Sequence, residues 1–123
     1  MHEMGIIAGV LDAVNESARA AGAERVCTVT LQIGEMTEAI GDALHFAFEA
    51  LSEGTLCEGA ELAINWVKPR SFCLECFEEF EHDRFHRTCP HCGSYETELI
   101  AGRELQIESI EVETPDEADE LER

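Results

Sequence analysis

The amino-acid sequence predicts an α+β fold: two helices on a small three-stranded sheet, with a four-cysteine ribbon inserted before the last strand. Three observations carry this. Apolar residues recur at helical spacing in two segments, they alternate at strand spacing in three others, and two Cys-x2-Cys pairs stand between residues 70 and 101. A chain of 123 residues suits one compact domain with a small appended module.

The first helix is expected from residue 4 to about residue 20, because Met4, Ile7, Leu11, Val14 and Ala18 recur every three or four positions with Asp12, Asn15, Glu16 and Arg19 between them. Gly22 is its expected C-terminal cap. From Arg25 the period changes to two, and Cys27, Val29, Leu31 and Ile33 are the expected inner face of a strand, which makes Cys27 a buried small hydrophobe. Residues 34–41 read as a loop. Leu44, Ala47, Phe48 and Leu51 form the inner stripe of a second helix that Asp42 could cap. Leu62, Ile64 and Trp66 give a second alternating strand, ended by Pro69, and Cys57 in the loop before it reads as incidental. In the last strand, 103–113, Leu105 and Ile107 share one parity while Ile110 and Val112 share the other, which calls for a bulge near Glu108-Ser109.

The charge is strongly negative, with 27 acidic against 8 basic residues and a formal net of −19. Such a field repels phosphate backbones and argues against nucleic-acid binding. No apolar run approaches the roughly 18 residues needed to cross a bilayer. The stretch Ile6–Leu11 is too brief for a signal core and has no basic leader, so a cytoplasmic chain without membrane attachment is expected. The run from Thr114 to Arg123, TPDEADELER, has the composition of a disordered, solvated tail.

Cys73-Leu-Glu-Cys76 and Cys89-Pro-His-Cys92 are separated by twelve residues, and Gly93 follows the second pair. Two rubredoxin-like knuckles of this kind can place four thiolates around one ion, about 2.3 Å from it for Zn²⁺. A segment of this length builds no core of its own, so the metal is what would hold it folded. Zinc is preferred, while iron in a rubredoxin-like electron carrier stays open. Phe72, Phe77, Phe80, Phe85 and Tyr95 are expected to pack around the knuckles. A closed structural site names no activity, and neither a nucleophile elbow nor a phosphate loop is present. His45 and Glu49, four apart on the second helix, read as a salt-bridged helix face. His82 and His86, also four apart, read as surface residues or an accessory metal pair.

The chain opens Met1-His2-Glu3. Methionine followed by a large side chain is retained, which leaves a free α-amine beside an imidazole, two donors that titrate near ~7.7 and ~6.5. The amine, the backbone nitrogen of His2 and the His2 imidazole can close adjoining chelate rings, and Glu3 can add its backbone nitrogen or its carboxylate. A planar nitrogen set of this kind favours Ni(II) or Cu(II) over zinc.

Met1-His2-Glu3 opening a helix, a strand ending in Ile33-Gly34-Glu35, the helix Leu44-His-Phe-Ala-Phe-Glu49, the two knuckles, and Gly102-Arg-Glu-Leu-Gln-Ile-Glu108 together resemble the HypA/HybF family over residues 1 to about 113. These are nickel metallochaperones of [NiFe]-hydrogenase maturation. The resemblance implies Ni²⁺ as cargo at Met1, His2 and Glu3, and structural Zn²⁺ at Cys73, Cys76, Cys89 and Cys92. It implies a nickel-binding α+β domain, 1–69 plus 102–113, and a zinc-binding domain, 70–101. It also implies a HypB-type GTPase and the hydrogenase large-subunit precursor as partners, a monomer or weak homodimer, and a binding and delivery protein that is not an enzyme. A rubredoxin-like electron carrier and a zinc-ribbon interaction module are the rival readings. Some members use an aspartate in the loop before the second helix, or a histidine near the ribbon, as a further nickel ligand; the loop here reads Met36-Thr-Glu-Ala-Ile-Gly-Asp42, so the resemblance leaves the fourth ligand open.

Overall fold

The computed structural model describes residues 2–115. Met1 and residues 116–123, which hold most of the acidic run, lie outside the described residues. The elements in chain order are α1 (Glu3–Ala20), β1 (Arg25–Gly34), a 3₁₀ turn (Glu35–Thr37), α2 (Gly41–Ser52), β2 (Glu61–Val67), β3 (Arg70–Cys73), β4 (Glu79–Glu81), β5 (Thr97–Ala101) and β6 (Leu105–Glu113). Two three-stranded sheets form, ordered β2-β1-β6 and β4-β3-β5. This is the expected α+β architecture, with the four-cysteine ribbon entering before the last strand.

The described residues of Met1–Leu31, Ala39–Ile64 and Ile107–Arg123 make one compact unit; Gln32–Glu38 with Asn65–Gln106 make the other. In the first unit, α1 buries Ile7, Leu11, Val14 and Ala18 as expected, but Met4 is half exposed and Asn15, expected among the polar residues between them, is buried. Ile7, Leu11 and Val14, so buried, each contribute about 1.5–3 kcal/mol relative to leaving them in water. The helix ends as its sequence requires. Gly22 adopts φ +73°, its N–H bonds to the Arg19 carbonyl and that of Ala23 to the Ala18 carbonyl, the paired bonds of a Schellman cap.

Several expectations are corrected. In β1, Val29, Leu31 and Ile33 are buried, but Val26 is buried in place of Cys27, which is only half buried. The Val26 N–H bonds to the Leu56 carbonyl at 2.8 Å, and Cys27 and Thr28 are both half buried, so the inward parity changes there. In α2, Leu44, Ala47 and Phe48 are buried with Ser52, while Leu51 is half buried. Asp42 caps nothing: the N-cap residue is Ile40, which has no side-chain cap. Cys57 is fully buried, turned inward by bonds from Thr55 to the Ser52 carbonyl and from the Cys57 N–H to the Thr55 hydroxyl. Its thiol lies 3.6 Å from Asn15 Oδ1, and burial pushes its pKa up. Along β2 burial fades from Leu62 through Ile64 to Trp66, which is exposed. In β6, Leu105 is exposed against expectation, while Ile107, Ile110 and Val112 are half buried with Glu108 and Ser109 exposed between them, so the inward parity changes at Glu108-Ser109.

In the second unit, β3 is the centre of its sheet. It pairs antiparallel with β4, Ser71 opposite Phe80, and with β5, Ser71 opposite Leu99, with a register shift between Arg70 and Ser71. Where the end of β1 meets the segment returning from β5, the Gly34 N–H bonds to the Glu104 carbonyl and the Met36 N–H to the Gly102 carbonyl, both at 2.8 Å. The Gln106 side-chain amide donates to Gln32 Oε1. Arg84 pairs with Glu38 at 3.5 Å, and Arg70 with Glu79 at 2.6 Å.

Candidate metal centre

Two turns of the same construction carry the four cysteines. In the first, the Cys73 N–H bonds to the Glu78 carbonyl and the Phe77 N–H returns to the Cys73 carbonyl, both at 2.9 Å. In the second, the Cys89 N–H bonds to the Ser94 carbonyl at 3.0 Å and the Gly93 N–H returns to the Cys89 carbonyl at 2.9 Å. Each turn needs a left-handed residue directly after its second cysteine. Gly93 supplies it at φ +76°; in the first turn Phe77 adopts φ +61°, a conformation that costs a residue with a β-carbon about 1 kcal/mol.

The two turns interlock across their pairs. Cys73 Sγ lies 3.5 Å from Cys92 Sγ, and Cys76 Sγ lies 3.6 Å from Cys89 Sγ, with all four sulfurs within 4.8 Å of one another. A tetrahedral Zn²⁺ with sulfurs at ~2.3 Å separates them by ~3.8 Å; the two closest pairs lie within a few tenths of an ångström of that spacing, and no pair need close by more than about 1 Å to hold the ion. Among the described residues, these four form the group of His, Cys, Asp and Glu side chains close enough to share one ion. Cys73 and Cys89 are buried and pack with Phe80 and with half-buried Cys76, while Cys92 is exposed.

The electrostatics of the four thiols point the same way. The Cys76 backbone N–H, 3.5 Å from Cys73 Sγ, draws the Cys73 thiol down to about 7. Burial pushes Cys76 up to about 12. At Cys92 the Ser94 N–H lowers the pKa, but the neighbouring Cys73 sulfur and burial outweigh it, and the net shift is upward. Sulfurs this close do not all ionise alone, and a divalent cation is what makes four thiolates stable together.

The aromatic residues only partly fulfil their expected packing role. Phe80 is buried against the cysteines, but Phe77 and Tyr95 are 72% and 86% exposed, and Phe85 lies open with the Arg84 guanidinium 5.1 Å from its ring centre. The ribbon histidines take separate partners. The His82 Nδ1–H donates to the Asp83 carbonyl, which leaves Nε2 to accept from the buried Ser71 hydroxyl at 2.7 Å. His86 Nδ1 donates to the Asp83 carboxylate at 2.8 Å, and this bond, with the N–H groups of Phe85 and His86, holds the Asp83 carboxyl below its ordinary range. His45 and Glu49 flank a shallow cleft with Glu53, Glu58 and Leu62.

At the other expected metal site, Met1 lies outside the described residues. His2 is exposed at the N-cap of α1, its carbonyl accepting the Ile6 N–H at 3.0 Å. The Glu3 carboxylate accepts the Ile40 N–H at 3.1 Å. Nothing in the local pattern announces that contact, because 37 residues separate the two.

A family model described as hydrogenase/urease nickel incorporation, metallochaperone, HypA, matches residues 1–112. The chain is 41% identical to the hydrogenase maturation factor HypA of Geobacter metallireducens over 113 residues, 92% of this chain and 100% of the relative. It is 38% identical to the protein of the same name from Acidithiobacillus ferrooxidans, with the same coverage. The solution structure of the Ni metallochaperone HypA from Helicobacter pylori aligns with a TM-score of 0.67 at 26% identity, over 93% of this chain and 99% of that one. A second HypA solution structure aligns at 0.70 with 25% identity, over 91% and 96%. With helices, sheets and four-cysteine centre all in place, the chain belongs to the HypA family of nickel metallochaperones in hydrogenase maturation.

Proposed function

We propose that this chain carries Ni²⁺ at its N-terminus and delivers it to the large-subunit precursor of a [NiFe]-hydrogenase, working with a HypB-type GTPase in the cytoplasm as a monomer or weak homodimer. The observation that supports this best is the family match over residues 1–112, which takes in both the Met1-His2-Glu3 terminus and all four cysteines. Nickel is the cargo, held at Met1, His2 and Glu3 by the Met1 amine, the His2 backbone nitrogen, the His2 imidazole and the Glu3 backbone nitrogen. Residues 1–69 with 102–113 form the nickel-binding part. Residues 70–101 form the zinc-binding part, with Zn²⁺ on Cys73, Cys76, Cys89 and Cys92 as a structural ion. The protein transforms no substrate: a chelate at a chain terminus releases its ion when the segment moves or is protonated, which suits transfer better than turnover. Among the described residues, no helix is long and apolar enough to cross a membrane.

The test is metal analysis of untagged protein before and after nickel loading, beside hydrogenase activity in cells lacking their own copy. One zinc and, after loading, one nickel are expected. Cys76→Ser and Cys92→Ser should each lose zinc, and His2→Ala should keep zinc while losing nickel and failing to restore hydrogenase. Full zinc in both cysteine variants, or hydrogenase restored by His2→Ala, would refute the assignments.

A further inference from the structure

One carboxylate joins the starts of the two helices. Glu3 is the first residue of α1, and its Oε2 accepts a hydrogen bond from the backbone nitrogen of Ile40, the residue that precedes α2. The Ile40 carbonyl accepts the first bond of α2, from the Leu44 N–H at 3.0 Å. Its N–H lies outside the helix's own bonding pattern, and Glu3 supplies the acceptor. Placed at two helix N-termini, the carboxylate meets favourable partial charge from both. The backbone N–H of Glu3 itself and that of Ile40 hold it below its ordinary pKa.

We propose that the Glu3 side chain is a clasp and not a nickel ligand: by holding the Ile40 N–H, it fixes the backbone from which the nickel-binding nitrogens project. This rests on the N-terminal nickel site proposed above. A carboxylate moving onto nickel would abandon the Ile40 N–H, whereas coordination by the amine, backbone nitrogen and imidazole leaves that bond intact. An anchored Glu3 also reduces the conformational freedom lost when the chelate closes, so the site binds more tightly than the same tripeptide unrestrained. The nickel position is thereby referred to the start of α2, an element far away in sequence.

Glutamine separates the two roles, because its side-chain oxygen accepts the same N–H but makes a poor ligand. Full-length zinc-loaded parent, E3Q, E3A and H2A are titrated with nickel sulfate, and hydrogen exchange at the Ile40 amide is followed in the nickel-free proteins by NMR. E3Q should match the parent in both measurements. E3A should bind nickel about tenfold more weakly and exchange faster at Ile40, while H2A loses nickel with exchange at Ile40 unchanged. Parent-like Ile40 exchange in E3Q with nickel binding as weak as that of E3A would make the carboxylate a ligand and overturn the clasp. So would parent-like nickel binding by E3A. Parent-like nickel binding by H2A would instead remove the N-terminal site itself, with Ile40 exchange in E3A still reporting the contact.

Discussion

A β-carbon placed on Gly34 would lie 1.9 Å from the Gly102 carbonyl oxygen, far inside van der Waals contact. That carbonyl accepts the Met36 N–H, and the Gly34 N–H bonds to Glu104, so neither backbone can withdraw without breaking the pairing. Gly34→Ala should therefore destabilise the protein by about 2 kcal/mol, an overpacking cost, and lower its melting temperature by several degrees. Thermal unfolding followed by circular dichroism reads this directly, and a parent-like melt would show that the crossing is not as tight as described.

The two cysteine turns make a paired prediction. Gly93→Ala puts a β-carbon where the backbone is left-handed and should weaken zinc retention by about 1 kcal/mol, roughly fivefold in competition with a zinc-binding dye. Phe77→Gly relieves the same strain in the other turn and loses only the tilted contact of the Phe77 ring with Phe72, 6.0 Å between centres. It should hold zinc at least as tightly as the parent. Equal weakening by both changes would mean that the Phe77 ring matters more to the site than its backbone.

What was legible in the sequence was local. The α1 stripe and the Gly22 cap follow from a period of 3.6 and one residue's freedom, and the cysteine pairs carry their spacing in the chain itself. What was not legible depends on partners distant in sequence. The exchange of Cys27 for Val26 at the start of β1 reflects a bond to Leu56, and the burial of Cys57 reflects a turn closed by Thr55 and a meeting with Asn15, 42 residues away. The aromatic count around the ribbon points to a shell, but Phe80 is buried and Phe72 half buried while Phe77, Phe85 and Tyr95 stay exposed. At the N-terminus the residue types pointed to nickel, while the use of the Glu3 carboxylate depended on where α2 begins.

Burial makes Cys57 a further test. Its thiol is inaccessible and its pKa is raised by burial, which keeps the reactive thiolate scarce at neutral pH. In native zinc-loaded protein, iodoacetamide should modify half-buried Cys27 before Cys57, as read by mass spectrometry of peptides, and Cys57 should become reactive only on unfolding. Rapid native labelling of Cys57 would contradict its placement.

The Glu3 contact carries a pH prediction. Because the folded carboxyl is held below its ordinary value of 4.5, the stabilisation it gives is complete above that pH and is lost as pH falls below it. The Ile40 amide signal of nickel-free protein should therefore stay constant from about pH 8 to about pH 5.5, the window in which α-amines and imidazoles ordinarily titrate, and should move only under more acidic conditions. Nickel release inside that window would then belong to the nitrogen donors. An Ile40 signal with a midpoint between pH 6 and 7, roughly where imidazoles titrate, would tie the contact to a different group.

Nickel titration of a protein with one glycine added before Met1 tests the central proposal most directly. The extension keeps every side chain, the α1 stripe and the four cysteines, so far-UV circular dichroism and zinc content should match the parent. It converts the terminal amine into an amide and moves the His2 imidazole one residue further from the new terminus. If nickel is chelated by the Met1 amine, the His2 backbone nitrogen and the His2 imidazole, the extended protein should lose most of its nickel affinity and the d–d bands of planar Ni(II), as His2→Ala does. Parent-like nickel binding and spectra in the extended protein would contradict the chelate and confine His2 to a side-chain role.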